Sequence, residues 1–107
     1  MDDMFNGCNA LTSIDFNSNV KINSLLTFTS MFLKCYSLEY LDLSFMDTSS
    51  ITDMSYLFAD CHSLKYLDIS NFNTTSVQTM INMFQDCRSL SSLNLNNFIT
   101  SSVENMN

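Results

Sequence analysis

The sequence predicts an α/β repeat fold: a right-handed solenoid with one short parallel strand and one short helix in each 26-residue unit. The first observation behind this prediction is the even spacing of the four cysteines, which lie 27, 26 and 26 residues apart. The second is that apolar residues recur at fixed distances from each cysteine. The third is that each unit combines a two-residue alternation, typical of a strand, with a three-to-four-residue spacing, typical of a helix.

Aligning the chain on its cysteines divides it into four units, which begin near Met4, Met31, Leu57 and Met83. The second and third units are identical at 11 of 26 aligned positions, whereas the first is the most divergent and is one residue longer. One strand and one helix cannot bury their own apolar faces, but stacked neighbours can. We therefore expect one domain over residues 1–107, in which equivalent side chains form continuous ladders.

The strand of each unit is predicted by segments such as SLEYLDLS in the second unit. Leu41 and Leu43 stand two residues apart with Asp42 between them, so the leucines share one face of a strand and the aspartate lies on the other. The equivalent apolar pairs of the other units are Ile14 and Phe16, Leu67 and Ile69, and Leu93 and Leu95. These pairs predict a parallel sheet whose strands are roughly 4.8 Å apart.

The helix of each unit is predicted by segments such as TDMSYLF, in which Met54, Leu57 and Phe58 fall at positions i, i+3 and i+4. This spacing is the apolar stripe of a short helix. A serine precedes the stripe in three units and is expected to cap the helix by accepting a backbone N–H. These serines are Ser50, Ser76 and Ser102. The methionines of the apolar columns are interpreted as core residues rather than as soft metal ligands.

The repeated positions together give the pattern MFxxCxSLxxLDLSxFxTSxVxxM, which is clearest in the second and third units. This pattern resembles the BspA-like leucine-rich repeat surface proteins, and the resemblance covers nearly the whole chain. It implies a leucine-rich-repeat-type solenoid, placement at the cell surface or outside the cell, and adhesion to host proteins or other cells. It brings no catalytic motif. The first unit departs from the pattern, with Ala10 in place of serine and no FxTSxV segment.

The cysteine ladder is interpreted as packing rather than chemistry. Equivalent cysteines of stacked units would lie in a line about 15 Å long at the inter-strand spacing, so they cannot converge on one zinc ion. Disulfides between neighbouring units stay open as an alternative, because Cα atoms about 5 Å apart fall within the allowed window, although the Cβ atoms are then too far apart for good geometry. The favoured interpretation is that Cys61 is a small buried hydrophobic residue.

His62 stands beside Cys61 and raises the question of a nucleophilic pair. It aligns with Asn9, Tyr36 and Arg88, so its column varies and is expected to face solvent. Adjacent side chains rarely face the same way, and the Cys–His pair occurs in one unit alone. We therefore predict no catalytic residues, no enzyme activity, no metal and no cofactor.

The charge balance narrows the class of partner. Eleven acidic and four basic residues give a formal net charge of −7, which disfavours nucleic acid and anionic membrane surfaces. No apolar stretch is long enough to span a bilayer, and the acidic start lacks the apolar run of a signal peptide, so any signal is expected outside this chain. The expected partner is a protein on a host or neighbouring cell, with no nucleic acid and no membrane insertion.

The exposed face of the predicted sheet is the candidate partner-binding surface, because tyrosines beside an acidic column would offer a rigid amphipathic patch. Its residues are Tyr40, Asp42, Ser44, Tyr66, Asp68, Ser70 and Asn94. We expect a non-catalytic protein-interaction or adhesion module. The alternative is a structural spacer within a larger surface protein, in which this face is solvated and binds no ligand.

Both ends of the predicted stack lack polar caps. The first unit would expose Phe5 and Leu11, and the fourth would expose Leu95 and Phe98. Leaving such side chains unburied costs roughly 1.5–3 kcal/mol each. We therefore expect either a fragment of a longer array or a protein whose ends associate with other copies of itself.

Overall fold

The computed structural model describes residues 2–16 and 27–101 of the chain. Three short strands form one open parallel sheet: β1 is Ser13–Ile14, β2 is Tyr40–Asp42 and β3 is Tyr66–Asp68. Their order across the sheet is β1-β2-β3, so strands of successive units are neighbours. The sheet therefore places equivalent residues of the first three units side by side.

The strand register follows the sequence repeat. Tyr40 pairs with Tyr66, and Leu41 pairs with Leu67. The alternation of a strand then separates two faces: Leu41 is buried, whereas Tyr40 on the opposite face is exposed. Two isolated parallel bridges, from Thr27 to Asp53 and from Asp53 to Thr79, also join the units, so neighbouring units are held together at more than one point.

The predicted fold class, an α/β solenoid with a helix in each unit, is wrong. The described residues form no helix, and residues 55–60, expected to be helical, are a run of turns. It follows that the described part of the chain has no helix that could span a membrane. The N–H of Leu57 closes a turn onto the Met54 carbonyl, whereas the N–H of Phe58 crosses to the Met83 carbonyl of the next unit. A helix would need both groups to bond four residues back along the chain.

Two left-handed backbone positions in each unit explain why no helix forms. In the third unit they are Tyr56, with a φ of 57°, and Asp60, with a φ of 59°. Their equivalents in the other units also have positive φ: Asp3, Ser30 and Asn82 in the first column, and Gly7, Lys34 and Asp86 in the second. A left-handed residue interrupts a right-handed helix and costs about 1–2 kcal/mol where it carries a Cβ. Gly7, the single glycine of the chain, meets this requirement without that cost.

The residues expected to cap the helices and to form a fourth strand have other environments. The Ser76 hydroxyl donates to the Ser49 carbonyl of the preceding unit at 2.8 Å, and Ser50 is exposed. Ser102 lies outside the described residues. Residues 91–95 form no strand, so within the described part of the chain the sheet ends at β3.

The core consists of columns of like side chains, one from each unit. The prediction that the methionines of the apolar columns are core residues is confirmed by the burial of Met31, Met54, Met80 and Met83. An aromatic ladder runs through the same core. Its rings stack with centroid separations of 5.5, 5.7 and 5.6 Å, along Phe5, Phe32, Phe58 and Phe84.

Candidate functional site

A stacked tyrosine pair stands at the centre of the predicted binding face. Tyr40 and Tyr66 have ring centroids 4.6 Å apart and planes that differ by 4°. The pairing register of β2 and β3 places them side by side on the exposed face. Although stacked, they stay 47% and 45% exposed, so the pair presents a flat aromatic surface to solvent.

The acidic column beside the tyrosines has a structural role. A carboxylate oxygen of Asp42 accepts the backbone N–H of Ser44 at 2.9 Å, and one of Asp68 accepts that of Ser70 at the same distance. Each bond closes a turn in which a side chain bonds the backbone two residues on. Asp42 and Asp68 therefore close the turns that follow β2 and β3, and they also give the exposed face of the sheet its negative charge.

Hydrogen bonding and charge on this face affect its titrating groups. The bonds from Ser70, first from its hydroxyl and then from its backbone N–H, lower the pKa of Asp68. The Tyr66 hydroxyl lies 3.5 Å from the second carboxylate oxygen of Asp68 and donates to it. Local desolvation, followed by the negative charge of Asp68, raises the pKa of Tyr66. Both effects keep Asp68 ionised and Tyr66 protonated near neutral pH.

A cleft of about 280 Å³ opens beside Tyr40, where β1 meets β2. The lining consists of both residues of β1, two aspartates and three aromatic residues. These are Ser13, Ile14, Asp15, Phe16, Tyr40, Asp42 and Phe45. The rings of Phe16 and Phe45 lie 5.5 Å apart and tilt by 43°. The cleft therefore offers aromatic rings beside two carboxylates.

Phe45 is the residue of this site that the sequence prediction missed. It is 40% exposed, and its column holds Asn71 and Asn97 in the following units. The amides of those asparagines donate to the Ser44 and Ser70 carbonyls of the preceding units. An aromatic residue in a column otherwise made of bonding asparagines is the signal that would have found it.

The structure brings together six of the seven residues predicted for the face. These are Tyr40, Asp42, Ser44, Tyr66, Asp68 and Ser70, all in β2 and β3 or directly after them. Asn94 lies in the strand-free segment of the fourth unit and is exposed. Its side chain nevertheless accepts the N–H of Asn96 at 3.0 Å, so it closes the same kind of turn as the two aspartates.

The cysteine ladder is a set of hydrogen-bonded free thiols. Cys61 is fully buried, which confirms its prediction as a packing residue, and its sulfur donates to the Phe32 carbonyl at 3.2 Å. The disulfide alternative is wrong, because all four thiols are free. Burial raises the pKa of Cys35 to about 11, helped by the Cys8 thiol beside it, and burial also raises the pKa of Cys61.

The prediction that the column of His62 faces solvent is confirmed, because Asn9, Tyr36 and Arg88 are exposed and His62 keeps 34% of its side-chain surface exposed. Its ring packs on Tyr36 with a centroid distance of 4.9 Å, and its Nε2 lies 3.5 Å from an Asp60 carboxylate oxygen. The Cys61 sulfur bonds a backbone carbonyl instead. In the part of the chain that the structure describes, no cluster of three or more His, Cys, Asp or Glu side chains could hold a metal ion.

Comparison with known proteins gives one match. A family model described as "Mycoplasma protein of unknown function, DUF285" matches residues 1–107. The chain belongs to the DUF285 family. The match spans the divergent first unit as well as the three regular ones, so all four units of this DUF285 chain lie within the family domain. No curated protein and no solved structure matches it.

Proposed function

We propose that this DUF285 chain is a non-catalytic protein-interaction module that binds a protein ligand through the exposed face of its sheet. The observation that carries the proposal is the exposed Tyr40–Tyr66 stack, whose Tyr40 ring also lines an aromatic and acidic cleft. Tyrosine offers a large contact area at a low cost in side-chain entropy. Because the two rings already stack in the free protein, binding would order them little further.

The chemistry of the cleft favours a ligand segment that presents lysine or arginine. The carboxylates of Asp15 and Asp42 line it together with the rings of Tyr40 and Phe45. A cation on an aromatic face gains about 0.5–2 kcal/mol, and a carboxylate partner adds a charge-assisted hydrogen bond. The net charge of −7 would also speed the approach of a basic partner.

The proposed setting is the cell surface or the extracellular space. Its support is the repeated pattern MFxxCxSLxxLDLSxFxTSxVxxM, which resembles the BspA-like surface proteins. In that setting the ligand would be a protein of a host or of a neighbouring cell, and binding would serve adhesion.

The test replaces the tyrosine pair and measures binding to immobilised lysine- and arginine-rich peptides and to extracellular proteins. We expect Tyr40→Ser combined with Tyr66→Ser to weaken binding by about tenfold or more, as loss of an aromatic anchor does. Tyr56→Ser is the matched control, because Tyr56 is an exposed tyrosine that lies off the sheet. Preference for acidic over basic peptides would contradict the proposed ligand chemistry.

A second candidate function is that of a structural spacer. It is favoured by the turns that Asp42 and Asp68 close, since these give the acidic column a purely structural use. A spacer would show no peptide or protein binding above that of the double tyrosine variant. Equal binding by the parent chain and by that variant, with equal melting temperatures, would decide for the spacer.

A further inference from the structure

The two ends of the repeat stack expose column positions that are buried inside it. Met31 and Leu57 are fully buried, whereas Met4, in the same column of the first unit, is 50% exposed. In this column the exposure of Met4 therefore reflects the lack of a preceding unit, whereas Met83 in the fourth unit stays buried.

The opposite end shows the same contrast in another column. Leu43 and Ile69 are buried, whereas their equivalent Leu95 is 41% exposed. Leu95 borders a groove of about 530 Å³ that is mostly apolar, with Asn82, Gln85 and Thr100 as its polar members. Its lining includes Met80, Met83, Phe84, Leu95 and Phe98. The fourth unit thus ends in a surface with the composition of the core between units.

Backbone hydrogen bonds leave complementary groups on these two end surfaces. Along the turns, an N–H of one unit donates to a carbonyl of the next, as Phe32 does to Leu57 at 3.0 Å and Asp60 to Gln85 at 2.8 Å. Beside the strands some bonds run the other way, as from the N–H of Lys65 to the carbonyl of Glu39 in the preceding unit. The donors at the equivalent positions of the fourth unit are the N–H groups of Phe84 and Asp86, and the acceptors of the first unit are the carbonyls of Met4 and Asn6. Among the described residues, none of these four groups has a backbone partner.

Two side-chain ladders continue the same complementarity. In the second, third and fourth units the cysteine sulfur donates to the phenylalanine carbonyl of the preceding unit, as Cys35 does to Phe5 at 3.1 Å and Cys87 to Phe58 at 3.2 Å. Cys8 occupies the donor position at the first end, and Phe84 occupies the acceptor position at the last. The ring of Phe84 is also the free end of the aromatic stack that begins at Phe5.

The geometry points to head-to-tail association of this chain with a second copy of itself. The first unit of one copy would seat on the groove of the fourth unit of another, with Met4 and Phe5 packed against Phe84 and Leu95. The N–H groups of Phe84 and Asp86 would then donate to the carbonyls of Met4 and Asn6. Because each end presents groups that complement the other end and not itself, two equal ends would not pair, and the contact is heterologous.

The test measures molar mass by sedimentation equilibrium of the 107-residue chain over a range of concentrations. We expect mass to rise with concentration. Met4→Asp blocks the first end and Leu95→Asp blocks the last, and both residues are exposed, so each variant should fold. Each variant alone is expected to stay monomeric, whereas an equimolar mixture should form a 1:1 dimer and nothing larger, since one free end of each kind remains.

Tyr56→Asp, at an exposed apolar position inside the stack, is the control and should associate like the parent chain. Circular dichroism melts of all three variants separate loss of association from loss of folding. A parent chain that is monomeric at every concentration would overturn the inference. So would a single end variant that still dimerises, or a mixture of folded variants that does not pair.

Discussion

At the scale of single residues, each repeated side chain satisfies a hydrogen bond or fills a gap that the neighbouring unit creates. Cys61 is buried against the Phe32 carbonyl, to which its sulfur donates. Asp42 and Asp68 close equivalent turns in successive units. The repeated cysteines and aspartates are therefore explained by local hydrogen bonding and packing, whereas Phe45, which breaks its column, lines the candidate cleft together with Tyr40 and Asp42.

Thiol reactivity tests the burial of the cysteines. A thiolate is the reactive form, and burial raises the pKa of both Cys35 and Cys87 to about 11, so these thiols stay protonated near neutral pH. We expect Cys61, fully buried, to be alkylated slowest by iodoacetamide in the folded protein, and the half-exposed Cys8 to react sooner. Peptide mass spectrometry after a short pulse reads the order, with the urea-unfolded chain as control. Equal rates for Cys61 and Cys8 in the folded chain would contradict this.

The left-handed backbone of Tyr56 predicts an inverted order of glycine and alanine. With a φ of 57°, a Cβ at this position costs about 1–2 kcal/mol, more than the entropic cost of glycine of roughly 0.5–1 kcal/mol. Tyr56→Gly is therefore expected to be more stable than Tyr56→Ala in urea unfolding. The pair Thr75→Gly and Thr75→Ala, at an exposed turn position of ordinary φ, should show the usual order, with alanine at least as stable.

At the scale of elements, the units are joined less by strands than by turns whose bonds cross to the next unit. A buried threonine extends this pattern into side chains. The Thr48 hydroxyl donates to the Asn73 carbonyl at 3.1 Å and accepts the Asn73 N–H at 2.8 Å. Thr74 makes the same pair of bonds to Ile99. One hydroxyl thus replaces two backbone bonds of a ladder.

Removal of the Thr48 hydroxyl tests this element. Thr48→Val keeps the shape of the side chain but leaves two backbone groups of Asn73 without their partner. Each such loss costs about 1–3 kcal/mol when buried, and we expect the low end in total because Asn73 is itself exposed. Thr48→Ser keeps the hydroxyl and should lose less free energy of unfolding. If the valine variant were as stable as the serine variant, the Thr48 hydroxyl would not contribute to stability and the prediction would be wrong.

The same elements show why the sequence predicted the strands but not the turns. Alternation of Leu41 and Leu43 around Asp42 specifies a strand, and β2 lies there. The spacing of Met54, Leu57 and Phe58 specifies only which side chains face inward, and consecutive turns place them there as well as a helix does. The left-handed positions that decide between the two are not marked by glycine, since residues such as Tyr56 occupy them. Likewise, the cleft beside β1 forms where the first and second units pack together, so the residue pattern of a single unit does not predict it.

At the scale of the whole molecule, the chain is a short stack whose units contact their neighbours along the chain. In such an architecture, stability is approximately a sum of unit terms and nearest-neighbour interface terms. An inner unit has two interfaces and a terminal unit has one. The burial of equivalent residues reflects this, since Phe58 is fully buried and Phe84 is only half-buried.

Truncation of equivalent phenylalanines measures the interface terms directly. The ring of Phe58 stacks on both Phe32 and Phe84, at 5.7 and 5.6 Å, whereas among the described residues Phe84 stacks only on Phe58. Complete burial makes a Phe→Ala change cost about 3–5 kcal/mol, so we expect that loss for Phe58→Ala and roughly half of it for Phe84→Ala. Urea unfolding of the dilute monomer gives both values. At high concentration the proposed head-to-tail contact would bury Phe84 and raise its cost toward that of Phe58, because association stabilises the folded form by mass action. Equal losses for both variants in dilute solution would show that the units do not stabilise one another through their interfaces.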